Sequence, residues 1–162
     1  MRPALLALAA ATFAGAVLAA ATAQAAPPAI ERTYASPTAF LASSVVVPAG
    51  ADTVYLSGVL PAPETFKGDT EAQANSVLDR IGEQLKGMGL GFGDVVLMHV
   101  YLAGDPAKGG ALDFAGWQAA YLKRFGTATQ PNRPARSAFQ VAHLANPDAL
   151  LEVEVTAARP HR

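Results

Sequence analysis

The sequence predicts an α+β domain, a mostly antiparallel sheet with two helices on one face, from three observations. Two segments carry apolar residues at helical spacing, one running from Thr70 towards Gly89 and one following Asp113. Five others are short, rich in β-branched and aromatic residues, and bounded by Pro, Gly and Asn-Pro-Asp turn signals. Their order is strand, strand, helix, strand, helix, strand, strand, with no internal repeat, which is the pattern of an α+β domain.

Residues 1–25, MRPALLALAAATFAGAVLAAATAQA, carry one charge, Arg2, ahead of an uninterrupted apolar and small-residue run that ends in Ala23-Gln24-Ala25. That is the form of a secretory signal peptide cleaved after Ala25. A membrane anchor fits less well, because weakly hydrophobic alanine dominates the run. Residues 26–43, rich in Ala, Pro, Ser and Thr, read as a loose lead-in with a short first strand around Ile30–Tyr34, and the domain proper takes residues 44–162.

Val45–Val47 and Asp52–Leu60 flank Pro48-Ala49-Gly50, which predicts a hairpin. Thr70 with Gln73 is a candidate capping box. Ala74, Val77, Leu78, Ile81, Leu85 and Met88 follow at helical spacing, with Gly87 and Gly89 closing the run. Asp94–Ala103, DVVLMHVYLA, is nearly continuously apolar, as in a strand buried on both faces. Asp113 precedes a second amphipathic helix with Phe114, Trp117, Tyr121 and Phe125 on one stripe. A loop over residues 126–135 leads into a strand at Arg136–Leu144, and a turn at Asn146-Pro147-Asp148 reverses the chain into Leu150–Ala158. There Leu151, Val153 and Val155 share one face, and Glu152, Glu154 and Thr156 the other.

The 162 residues, 51% hydrophobic and 15% charged, suffice for one packed domain. The formal charge is −1; removing residues 1–25 takes away Arg2 and no acid, leaving 11 bases against 13 acids, or −2. Such a chain has no electrostatic footprint for nucleic acid. Zero cysteines exclude a disulfide framework, a thiolate nucleophile and a Cys-ligated metal. His99, His143 and His161 lack metal-ligand spacing, so no metal is expected. His99, in the most apolar strand, reads as a hydrogen-bonded core or interface residue. Gly87, Gly89, Gly91 and Gly93 close a helix and enter a strand, the reverse of a phosphate loop. Ser57, in YLSGVL, lacks the elbow of a serine hydrolase.

A sheet covered on one side leaves the other bare, and the strand at 94–103 is apolar on both faces, so copies of the chain are expected to bury it in a closed homo-oligomer. Arg136 opens a half-buried strand, where an unpaired charge is costly. If the last two strands pair as an antiparallel hairpin, the Glu152 and Glu154 face lies near the side that Arg136 occupies. A structural ion pair accounts for the guanidinium. So does a role holding a planar carboxylate in two parallel hydrogen bonds, with a nearby carboxylate to position water or move a proton.

Together, YLSGVLP, TEAQANSVLDRIGEQLKGMGLGFGDVVLMHVYLAGD, DFAGWQAAYLKRF, RPARSAFQVAHL and LLEVEVTAA resemble the RidA/YjgF family of reactive-intermediate deaminases, also labelled an L-PSP endoribonuclease family. The match runs from about Thr53 to Ala158, with Pro-Ala-Arg-Ser its most specific part. The resemblance implies a chorismate-mutase-like fold and a homotrimer with clefts between subunits. It puts the arginine that holds the substrate carboxylate at Arg136, the glutamate associated with the attacking water at Glu152, and the Ser-Gly pair lining the cleft at Ser57 and Gly58. The implied reaction is of the 2-iminobutanoate/2-iminopropanoate deaminase type: a reactive enamine or imine derived from an amino acid is hydrolysed to a 2-keto acid and ammonia, without a cofactor.

The chain departs from that pattern at Ala138, where many members have cysteine, at Gln118, where asparagine is common, and at Ser44, where a tyrosine often closes the cleft; Phe40 is the nearest aromatic. Gln118 and Ser44 stay in the expected substrate-binding set. The leader implies a periplasmic or secreted protein, whereas the deaminase role is usually cytosolic. An alternative reading is a non-catalytic trimer that binds small carboxylates or acts like a chaperone. The endoribonuclease label sits poorly with a charge of −2.

Overall fold

In the computed structural model, which describes residues 28–160, the chain forms six strands and two α-helices. In order these are β1 (Glu31–Thr33), β2 (Ser44–Val46), β3 (Asp52–Val59), α1 (Thr70–Gly87), β4 (Val95–Leu102), α2 (Phe114–Leu122), β5 (Ala135–Gln140) and β6 (Leu151–Arg159). The candidate signal peptide lies outside the described residues, and no helix among them is long and apolar enough to cross a membrane.

β3, β6, β4 and β5 form one sheet in that spatial order, while β1 and β2 form a separate ribbon. β6 runs antiparallel to both β3 and β4, and β5 runs parallel to β4 at the edge. The fold class is therefore as expected, but two pairings are not. β2 pairs with β1, Thr33 opposite Ser44, instead of forming a hairpin with β3. A turn does form where Pro48-Ala49-Gly50 signals one, with Gly50 at φ +84° and the Ala51 amide donating to Pro48 O at 3.2 Å. It delivers the chain from the ribbon to the sheet edge. The last two strands are not a hairpin either, because β4 lies between them. The connection through α2 is long enough to bring β5 back parallel to β4, and residues 141–150 then carry the chain past β4 to β6.

α1 begins one residue away from the expected box: Asp69 is the cap, its Oδ1 accepting from the Ala72 amide at 2.8 Å. Gln73 is instead fully buried. Its Nε2 donates to the carbonyls of Phe66, Gly68 and Asp148 at 3.0, 3.3 and 3.3 Å, and its Oε1 accepts from the Leu150 amide at 2.8 Å. One side chain thus ties the entry to α1 to the β5–β6 connection. Gly89, at φ +71°, ends the helix where only glycine is comfortable, while Leu90 N bonds back to Leu85 O.

Ala74, Val77, Leu78, Ile81 and Leu85 of α1 pack with Trp117, Tyr121 and Phe125 onto Met98, Val100 and Leu102 of β4 and Leu151, Val153 and Val155 of β6. Each large side chain buried in this way is worth about 1.5–3 kcal/mol. The alternation predicted for β6 is the one observed from Leu151 to Ala157, with Leu151, Val153, Val155 and Ala157 buried. β4 has the same division: Leu97, His99 and Tyr101 stand on the side without helices, with Phe139 beside them on β5 and Tyr55, 79% exposed, across β6 on β3.

The lead-in is bound more closely than its composition suggests. Arg32 Nη2 donates to Gly93 O at 2.8 Å, Arg133 stacks over Tyr34, Ala42 N donates to Pro134 O at 2.9 Å, and the Tyr121 hydroxyl donates to Phe40 O at 2.9 Å.

Candidate functional site

Arg136 sits opposite Met98 in the β4–β5 register, so its side chain leaves the sheet on the helix side. There α2 presents Phe114, Trp117, Gln118 and Tyr121 at spacings of three and four, which place them on one helix face. The guanidinium carbon lies 4.2 Å from the Tyr121 ring centroid, 5.8 Å from that of Phe114 and 5.9 Å from that of Trp117. Nη2 donates to Gln118 Oε1 at 2.9 Å. Three N–H donors in this cluster, Arg136 Nη1, Gln118 Nε2 and Trp117 Nε1, are buried without an acceptor.

Among the described residues no acid approaches this guanidinium. Arg136 takes part in none of the ion pairs among the described residues. Burial pulls its pKa down, opposed only by Tyr121, and Tyr121 is itself pushed up to about 12, chiefly by burial. A cation held among rings and left with a free donor is arranged to receive an anion.

Glu152 lies elsewhere. It faces Tyr101 on β6, on the bare side of the sheet, and its carboxylate rests against Gly58: a Cβ on Gly58 would come within 1.8 Å of Glu152 Oε1. The β3–β6 register shifts between Leu56 and Val59, so Ser57 and Gly58 occupy an irregularity that brings backbone close to the carboxylate. Ser57 also lines a concavity of about 420 Å³ with Tyr55, Leu97, His99, Glu154 and Thr156. A larger hollow of about 490 Å³ at the start of α1 contains none of the candidate residues. Among the described residues no group of three or more His, Asp and Glu side chains gathers as a metal site.

Two groups therefore form, Arg136 with Gln118 and Glu152 with Gly58, while Ser57 lines the hollow beside Glu154. They leave opposite faces of the sheet, two strands apart, and do not meet within one protomer. The expected nearness of Arg136 to the Glu152 face depended on a β5–β6 hairpin, which β4 prevents. Ser44 belongs to neither group; it pairs with Thr33 in the β1–β2 ribbon. Phe40 is 57% exposed and is tied through its carbonyl to Tyr121, which sets it on the Arg136 side.

A third cluster escaped the sequence reading. On the bare face His99 Nδ1 and the Tyr101 hydroxyl both bond Glu154 Oε1, at 2.8 and 2.7 Å. The clue lay in the alternation of β4, which puts His99 and Tyr101 on one side, but the register that adds Glu154 is not written in either strand. Tyr101 first, then His99, holds the Glu154 carboxyl below its usual 4.5. A depressed carboxyl stabilises the fold above its unfolded pKa, and that contribution disappears as pH falls below about 4.5 through the folded value. Glu154→Gln should therefore flatten the acid limb of stability; urea midpoints of parent and variant at pH 7 and pH 4 that fall in parallel would count against this.

The model of the family described as Endoribonuclease L-PSP matches residues 35–159. Among solved structures, the YjgF gene product of E. coli is 32% identical, with 70% of this chain and 84% of that one covered and a TM-score of 0.54. E. coli TdcF with bound serine is 31% identical, with 70% and 84% covered and a TM-score of 0.54. A protein from Pseudomonas aeruginosa described as uncharacterized is 26% identical, covering 81% of this chain and 99% of that one, with a TM-score of 0.56. No curated protein matches the chain. With the family model spanning nearly all of the domain and these structures sharing its α+β architecture, the chain belongs to the Endoribonuclease L-PSP family, known also as RidA/YjgF.

Proposed function

We propose that this chain is an exported RidA-family enzyme that hydrolyses reactive enamines and imines derived from amino acids to 2-keto acids and ammonia. It works as a homotrimer with its sites in the clefts between subunits. The observation that carries this reading is Arg136, a buried cation among aromatic rings with no acidic partner and an unused donor. The placement of Glu152 on the other sheet face supports a site assembled from two copies, Arg136 of one subunit meeting Glu152 of a neighbour, with the bare faces packed together.

In that cleft Arg136 holds the substrate carboxylate. Water adds to the carbon of R–C(=NH)–COO⁻ while Glu152 accepts a proton from it, and the nitrogen is protonated in turn. The resulting carbinolamine expels ammonia and leaves the keto acid; one water is consumed and no electrons are transferred. An enamine first takes a proton on its terminal carbon and becomes the imine. Imines hydrolyse unaided in water, so orientation and charge stabilisation are the protein's main tasks. The Ala23-Gln24-Ala25 end of the apolar leader supports an extracytoplasmic location, periplasmic or secreted.

The test uses protein from Ala26 onward, with imines generated in place by an amino-acid oxidase and release of ammonia and keto acid followed beside Arg136→Ala. Acceleration that depends on the arginine supports the proposal. A folded protein that accelerates none leaves the second reading, a small-carboxylate-binding trimer, which the bound serine of TdcF favours.

A further inference from the structure

We propose that the Arg136 site selects monocarboxylates bearing an apolar or aromatic substituent, and that Gln118 supplies one of the two donors that grip the carboxylate. The inference rests on the reading of Arg136 as the carboxylate holder. The two-armed guanidinium fork expected from the sequence is already half engaged, since Nη2 is bonded to Gln118 Oε1 at 2.9 Å. In exchange Gln118 offers Nε2, which is buried without an acceptor, as is Arg136 Nη1. The hydrogen bond makes one unit of the two side chains, and both of its free ends are donors. Trp117 Nε1 is a third buried donor beside them, and none of the unpartnered buried atoms in the cluster is an acceptor. What completes the cluster is a group that only accepts, and an ionised carboxylate does that.

The surroundings decide what else the ligand carries. Tyr121, Phe114 and Trp117 enclose the guanidinium, and Phe114 is 44% exposed, an apolar wall open to a ligand. Among the described residues of one protomer, Tyr121 is the neighbour whose charge acts on Arg136 and no acid there answers a side-chain ammonium; the other base near these rings, Arg133, acts on Tyr121 and is stacked over the Tyr34 ring, away from the grip on the carboxylate. A second charge laid against these rings loses its hydration without compensation, whereas an apolar substituent gains by covering Phe114.

Calorimetric titration of the protein from Ala26 onward with three stable keto acids, phenylpyruvate, pyruvate and 2-oxoglutarate, reads the preference independently of turnover. Phenylpyruvate should bind about tenfold tighter than pyruvate, and 2-oxoglutarate more weakly than phenylpyruvate. Gln118→Met, close in shape but without the N–H, should weaken phenylpyruvate about tenfold. Phe114→Ala should erase the preference over pyruvate. Gln118→Glu, which can still accept from Arg136 but answers its charge, should weaken binding further and decides the matter if the methionine variant fails to melt cooperatively. Equal affinity for 2-oxoglutarate and phenylpyruvate overturns the substrate class, and unchanged binding by the Gln118 variants overturns the shared grip. Should Arg136→Ala bind phenylpyruvate as the parent does, the carboxylate reading itself fails, a different result from either.

Discussion

Replacing Arg136 with alanine should abolish most imine hydrolysis while leaving the melting temperature within about 3 °C of the parent, a shift worth roughly 1 kcal/mol for a domain of this size. A charged hydrogen bond to a substrate carboxylate is worth about 1.5–3 kcal/mol, and with the added pull of the free charge kcat/KM should fall about a thousandfold. Stability responds differently because this guanidinium has no carboxylate among the described residues to lose. Its removal forfeits the bond to Gln118 and contact with Tyr121, but it also relieves the cost of keeping a cation out of water. Were Arg136 half of a buried structural ion pair, breaking it would cost about 3–5 kcal/mol. Thermal melting beside the oxidase-coupled assay separates the two roles: a large fall in melting temperature with activity retained would return Arg136 to the fold.

Gly58→Ala should be nearly as damaging to activity, although nothing is taken from the reacting groups. The new Cβ would sit 1.8 Å from Glu152 Oε1 and 2.7 Å from Cδ, so the carboxylate has to move. What moves is the far end of a flexible side chain, and the φ of Gly58 is not in the left-handed region, so folding should suffer little. Displacement of a catalytic group by about 1 Å costs on the order of a hundredfold in rate. The expected result is a protein that melts like the parent, binds keto acids through Arg136, and has kcat down about a hundredfold. Glu152→Gln should reproduce that loss with no change in bulk at Gly58; unimpaired turnover by both variants would remove Glu152 from the chemistry.

Element type and face could be read from the sequence because each depends on spacing within one segment. The stripe from Ala74 to Leu85 marks α1, and the alternation from Leu151 to Val155 marks β6 and its buried side. Partnership could not. Pro48-Ala49-Gly50 and Asn146-Pro147-Asp148 both signal a reversal, but a reversal names no neighbour: the first leads from one sheet to another, and the second passes over β4. The candidate site divides along the same line. Gly58 meets Glu152 through adjoining strands, and Gln118 of α2 bonds Arg136 of β5. That Arg136 and Glu152 face apart follows from the registers that set Arg136 opposite Met98 and Glu152 opposite Tyr101 on the intervening β4, which no local run of residues records. Gln73 is a smaller example of the same limit, since its role in a cap is local and its actual bonds reach Asp148 and Leu150.

Because Arg136 and Glu152 project from opposite faces of one sheet, a lesion at one does not touch the other's half of the cleft in the same copy. Under the shared-cleft reading, two dead proteins can rescue each other. Subunits carrying Arg136→Ala and subunits carrying Glu152→Gln, unfolded together and reassembled, would place an intact arginine opposite an intact glutamate in some of their clefts and regain turnover that neither parent has. In a cell holding two alleles, such defects would complement, and a single damaged copy would weaken assemblies built largely from sound ones. The sidedness of one sheet thereby becomes a matter of inheritance.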